Sequence, residues 1–283
     1  MTTATLTPTV PDAAPRSASA AGRLTFDGVL RGEWIKLLSL RSIRWSILVA
    51  LLVSLAGAAL MSLAVAGTEF VTPETMPAML VQSATIGTIF TVLILGVLGV
   101  LAATSEYASG MILSTLTAVP SRTPVFLAKA LVVAALGVVV AGVGTFGGAL
   151  LAAVFLGDGA FSAFGSAGVF GSLLSTTVYL MLAALFAFGV GALLRSSAGA
   201  ISVVVVVFFV LPIVFQILMM TNWEWVSVAA EWLPTSLGNT LAQAPITAGF
   251  DGVPYWAALA GLAAWAAVAL VPAAILLKTR DAV

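Results

Sequence analysis

Thr104–Lys129, TSEYASGMILSTLTAVPSRTPVFLAK, separates two uncharged apolar runs, Ser83–Thr104 and Ala130–Leu156. Each run reaches the ~20 residues a helix needs to cross a ~30 Å hydrocarbon core. Between them stand an acidic start (Ser105-Glu106-Tyr107), a Gly110-Met111 pair, a proline-bounded basic turn around Arg122 and a single lysine, Lys129. This pattern of a long apolar run, a short polar interruption and another apolar run is that of a chain threading a membrane.

Working outward, four more runs without Asp, Glu, Lys or Arg follow the same rule: Ser46–Ala66, Val169–Leu194, Ala198–Met220 and Pro254–Leu277. A spanning segment must satisfy its own backbone polar groups, so each is expected to be a helix. The composition agrees, with 61% hydrophobic and 8% charged residues, against about 25% charged in soluble domains. The expected fold class is an all-α integral membrane protein with six transmembrane helices. The break at Arg195-Ser196-Ser197 matters most, because without it Val169–Met220 would be one stretch too long for a single crossing.

Charge sets the expected orientation. With six spans and both termini in the cytoplasm, the inner segments hold all eleven basic residues: Arg16, Arg23, Arg31, Lys36, Arg41, Arg44, Arg122, Lys129, Arg195, Lys278 and Arg280. The outer loops hold Glu69, Glu74, Asp158, Glu224, Glu231 and Asp251, with no basic residue. This is the positive-inside distribution without an exception. It places the protein in the cytoplasmic (inner) cell membrane as a multi-pass protein.

The remaining segments divide as follows. Residues 1–22 are rich in Thr, Ala, Pro and Ser and poor in large apolar residues, so a disordered tail is expected. Residues 23–44 carry Phe26, Leu30, Trp34, Leu37 and Leu38 at helical spacing among basic residues. That reads as an amphipathic helix in the membrane interface, or else as a short solvated linker. Residues 45–283 form the transmembrane domain, with the cytoplasmic loop at 105–129 and a long outer loop at 221–253. In the outer loop, Trp223, Trp225 and Trp232 precede Leu233-Pro234. A short interfacial or re-entrant helix ended or kinked by Pro234 fits, as does a plain aromatic belt. Gly144 and Gly148, Gly96 and Gly99, and Gly189 and Gly191 offer small surfaces for close helix packing within the chain. Pro212 and Pro272 are expected to kink their spans.

Much chemistry is excluded. There is no His and no Cys, so a Ser-His pair, an H-E-x-x-H zinc site and thiol ligation are impossible. No catalytic, cofactor-binding or metal-binding residue is expected. No G-x-x-x-x-G-K-[ST] occurs, so this chain does not bind ATP through a P-loop. The apolar runs hold no ionisable group of the kind proton-coupled carriers bury. Their mild polar groups include Thr88, Thr91, Ser175, Thr176, Tyr179 and Gln216. Of these Thr88, Thr91, Ser175, Thr176 and Gln216 are candidates for a translocation path, with bonding back to a helix carbonyl as the structural alternative.

Several stretches together resemble a family: GEWIKLLSLRSIRWSILVALLV leading into the first span, LGVLAATSEYASGMILSTLTAVPSRTPVFLAKAL ending the second, and EWLPTSLGNTL in the late outer loop. They resemble permease subunits of type-2 ATP-binding-cassette (ABC) transporters, of the kind common in actinobacteria, over roughly residues 24–280. The resemblance implies a permease that pairs with a second permease copy and with separate ABC ATPase subunits, which bind ATP and Mg. It implies that 24–44 is an elbow helix. The loop after the second span would carry the ATPase-coupling residues, here Glu106, Tyr107, Gly110, Met111 and Arg122. In this reading Ser105 caps a helix, Glu106 lies at its N-terminus, and Lys129 snorkels or pairs with Glu106. The implied function is export of a hydrophobic or amphiphilic small molecule, with no nucleic acid involved. The competing readings are a non-transporting membrane partner or sensor, and an ATP-independent carrier.

Overall fold

A computed structural model describes residues 25–108, 122–247 and 249–279. Gly110, Met111 and the tail 1–22 lie outside the described residues. The fold is all helical, and no strand occurs among the described residues. Six helical stretches are long and apolar enough to cross a membrane.

The chain opens with α1 (Phe26–Ser39), which Thr25 caps by accepting the Gly28 N–H at 3.2 Å. Leu40 then adopts an extended conformation, and α2 (Arg41–Val65) begins at once. The amphipathic stretch expected over 23–44 is therefore two pieces, and Arg41 and Arg44 belong to the first turn of the first span. Nor is α1 a simple surface helix. Leu37 is buried, Leu30, Trp34 and Leu38 are half-buried against the core, and Phe26 is exposed.

The second span starts earlier than its apolar run suggests. Helix α3 (Met76–Thr85) leads through Ile86-Gly87 into α4 (Thr88–Ala108). The break falls where Gly87 presses on α2: a Cβ there would lie 2.8 Å from the Ser54 Cα. The far end of α4 is a second correction. Ser105 is inside the helix rather than capping one, so Glu106 does not sit in a first turn.

Helix α5 (Arg122–Leu156) has 35 residues, about 52 Å at 1.5 Å per residue. It outruns a ~30 Å hydrocarbon core by several turns, so residues 122–129, expected as loop, extend the third span instead.

A short α6 (Ala160–Phe164) leads to α7 (Ala167–Leu194), the central helix of the bundle. Its most apolar window is 61% buried, against 17% in the fifth span and 22% in the first and sixth. Arg195 turns the chain with φ 53°, and Ser196 caps the next helix by accepting the Gly199 N–H. That is the break the sequence needed. The fifth span comprises α8 (Ser197–Val205), a π-helical turn (Val206–Val210) and α9 (Leu211–Leu218). In the wide turn the Leu211 N–H reaches back to the Val206 carbonyl, and Pro212 follows directly. The long segment between the fifth and sixth spans holds two helices, α10 (Glu224–Glu231) and α11 (Pro234–Gln243). Pro234 starts the second, its fixed φ suiting a first helical turn. Helix α12 (Tyr255–Thr279) passes through Pro272 as one helix.

Small residues bring the helices together. A Cβ on Gly189 would lie 2.7 Å from the Ala269 carbonyl carbon, so α7 and α12 touch backbone to backbone there. Gly144 and Gly148 face Ser54 and Ala58 of α2, which makes the G-x-x-x-G pair an intrachain seam. Hydroxyls add a second kind of joint. The Thr91 Oγ1 proton goes to the Gly87 carbonyl at 2.9 Å, so Ser54 must donate to Thr91 across α2 and α4 at 3.1 Å. The same logic makes Ser197 donate to Thr104 and Tyr255 donate to Ser175. Thr91→Val is expected to cost about 1 kcal/mol, the net worth of one such bond, read as a small fall in the melting temperature of purified protein.

Candidate functional site

The Thr104–Ser197 bond places the α7–α8 turn beside the end of α4, while α1 and the start of α5 meet that same end. At this end four side chains close a ring. Lys36 Nζ lies 2.8 Å from Glu33 Oε1 and 3.0 Å from Glu106 Oε1. Lys129 Nζ lies 2.6 Å from Glu33 Oε2 and 2.8 Å from Glu106 Oε1. Two carboxylates and two ammoniums thus alternate, each touching both opposite charges. The glutamate side chains are 6% exposed, Lys129 is 12% exposed and Lys36 is 39% exposed. Burial alone would lower the Lys36 pKa, but its hydrogen bonds and charge contacts with Glu33 and Glu106 outweigh that and raise it. Its contribution is therefore present at neutral pH and lost only as pH climbs past the raised value.

Sequence spacing accounts for each corner. Glu33 and Lys36 are three apart on α1, so they share a face. Glu106 is in the last described turn of α4, and Lys129 is two turns into α5. The ring therefore ties α1 to both helices that flank residues 109–121. A cavity of about 300 Å3 adjoins it, walled by Leu37, Leu40, Ala102, Val132 and Val133. Its chemistry is electrostatic holding, each charge being paired with opposite charges, and no cluster suited to a metal ion occurs among the described residues.

Of the expected coupling residues, Glu106 belongs to the ring. Tyr107 lies in the last described turn of α4, and Arg122 is the first described residue of α5. Of the two options for Lys129, the pair with Glu106 is the one formed. Glu33 is the functional candidate that sequence reasoning missed. It looked like one more polar position on a surface helix, and its 96-residue separation from Lys129 hides the contact.

The expected path residues separate into two groups. Thr88 and Gln216 line one cavity of about 490 Å3, bounded by α4, the π turn, α9 and α11. Thr91, Ser175 and Thr176 do not line it. Their hydroxyls bond to the carbonyls of Gly87, Gly171 and Ser172, the structural alternative for such groups, as the Thr88 hydroxyl also does to the Thr85 carbonyl at 2.7 Å. Tyr179, which does line the cavity, was visible in the sequence only as one polar residue among several.

Six helices long and apolar enough to cross a membrane, with the buried charges among the described residues gathered in one ring, define a multi-pass membrane protein. The family model described as ABC-2 family transporter protein matches residues 29–213, and the chain belongs to that family. It is accordingly an ABC transporter permease, a membrane component whose family implies an ABC ATPase partner. Comparison with curated proteins gave no match.

Proposed function

We propose that this chain is the permease subunit of an ATP-driven exporter for a hydrophobic or amphiphilic small molecule. Two copies, or this chain and a similar permease, assemble with separate ATPase subunits that hold ATP and Mg. The basic end faces the cytoplasm of an inner cell membrane, as the positive-inside distribution requires. Helix α1 serves as the elbow, and the loop after the second span, with Glu106, Tyr107, Gly110, Met111 and Arg122, meets the ATPase. The quoted stretches also support kinship with the actinobacterial members.

The observation that carries this reading is the charge ring. A loop that merely turns the chain needs no such anchor. Here both roots of residues 109–121 are fastened to α1 and to each other by buried ion pairs. A push on the loop therefore moves α1, α4 and α5 together, which is what transmission from an ATPase demands. Thr88 and Gln216 mark the path favoured for cargo, because they share a cavity.

The test is co-expression of the tagged chain with its neighbouring ABC ATPase, followed by purification in mild detergent. Glu106 is a poor first target, because its loss would disturb the ring itself. Tyr107→Ala combined with Met111→Ala keeps all four ring side chains. The wild-type chain is expected to retain the ATPase, and the double variant to release most of it or uncouple hydrolysis from transport. Unchanged retention and transport in the double variant would reduce the loop to a passive turn.

A further inference from the structure

We propose that the cavity between α4, the π turn and α11 is a binding site for an uncharged amphiphile, and that Tyr179 recognises its polar group. The inference deepens the export reading and rests on it for physiological purpose, though not for the binding itself.

The cavity, about 490 Å3 in volume, has no Asp, Glu, Lys or Arg in its lining. That size suits a small organic molecule, and a wall without counter-charge excludes an ion, whose desolvation would go uncompensated. The wall is apolar along the fifth span, with Phe208, Phe209 and Ile213, while Thr88, Gln216 and Asn239 supply polar atoms. A ligand matching this surface has an alkyl or aryl body and a neutral hydrogen-bonding group.

Tyr179 makes the site more than a greasy groove. The residue is 6% exposed and lines the cavity. Its hydroxyl makes no hydrogen bond among the described residues, whereas those of Ser175, Thr176 and Thr177 just before it on α7 bond to helix carbonyls. With no partner among the described residues, the hydroxyl is left to bond to whatever fills the cavity. A ligand atom in the cavity would be that partner. The ring is held for the purpose: Gly238 of α11 lies flat on it, and a Cβ there would come within 2.8 Å of Cδ2 and Cε2. A lipid acyl chain could fill the apolar part, but it offers the phenol nothing. The two occupants therefore differ in their dependence on one oxygen atom.

The experiment uses the full chain alone in phosphatidylcholine nanodiscs, with three photoaffinity probes: an N-octyl benzophenone carboxamide and its octyldimethylammonium and octyl sulfonate counterparts. Labelled peptides are mapped by mass spectrometry. The carboxamide is expected to label the segment containing Ile213 and Met219 in preference to both charged probes. Tyr179→Phe keeps the ring on Gly238 and should reduce that labelling about five- to tenfold, the worth of one lost hydrogen bond. Ile213→Trp, at a partly lipid-exposed position, should block it by filling the space. Equal labelling by all three probes overturns the proposal. So does labelling that Tyr179→Phe leaves unchanged, which would mark an acyl-chain groove. Because no ATPase is present, a failure of the export reading would leave this result standing, and a failure here would leave ATPase association untouched.

Discussion

Lys129→Met is expected to be the most damaging single substitution at the basic end. It removes the ammonium that touches both buried glutamates at 2.6 and 2.8 Å. Of the two ring lysines Glu33 and Glu106 would then keep Lys36, which is 39% exposed and correspondingly screened. Breaking a buried pair by deleting one partner costs about 3–5 kcal/mol, which corresponds to a fall of roughly 10 °C in melting temperature for a domain of this size. Thermal unfolding of the detergent-purified protein reads the effect directly. The informative companion replaces the whole ring, with Glu33→Gln, Lys36→Met, Glu106→Gln and Lys129→Met together. Fully neutralised ion clusters are often as stable as the originals, so this variant should recover much of the loss. It should also fail to transmit ATPase movement if the ring serves coupling. A Lys129→Met protein that melts like the wild type would remove the ring from any account of stability.

Gly99→Ala should produce a comparable loss by a different route. The added Cβ would collide with the Ala184 carbonyl oxygen on α7 and lie 3.1 Å from the Phe188 nitrogen. Neither is the end of a flexible side chain, so α4 and α7 must separate. Alanine gains about 1 kcal/mol over glycine in a helix interior. Overpacking a close contact costs about 1–3 kcal/mol and more where backbone must move, so the collision wins. Gly147→Ala is the control. Its Cβ meets only the Leu55 Cδ2 at 3.4 Å, so the propensity gain should survive and the protein should be unchanged or slightly stabilised. Similar melting temperatures for the two variants would contradict the packing described for α4 against α7.

Much of the fold was legible because membranes impose simple arithmetic. Apolar runs of spanning length are hard to disguise, and charge at their ends marks where the chain turns. Arg195-Ser196-Ser197 could be read as a break because without it the stretch had no possible length. Helix ends near the ring were not legible. Ser105 and Glu106 look like a helix start by local preference, yet α4 continues through them because Glu106 is satisfied by lysines on two other helices. Propensity lost to tertiary pairing there, as it does wherever long-range contacts decide a helix end. Glu33 was unreadable for the same reason. Tyr179 was a different case: its place in a span was plain, but the glycine that pins its ring is 59 residues further along the chain, and nothing local links the two.

The π turn at Val206–Val210 has a consequence for how this span came to face the cavity. A π turn is what an α-helix forms when it absorbs one extra residue without unfolding. Each residue advances an α-helix by about 100°. A version of the chain lacking one residue between 206 and 210 would still cross the membrane, with nearly the same hydropathy and length. Phe215 and Gln216, however, would swing roughly a quarter-turn away from Tyr179. The lining of the cavity beyond the turn is thus set by a single-codon difference in a stretch of five bulky apolar residues.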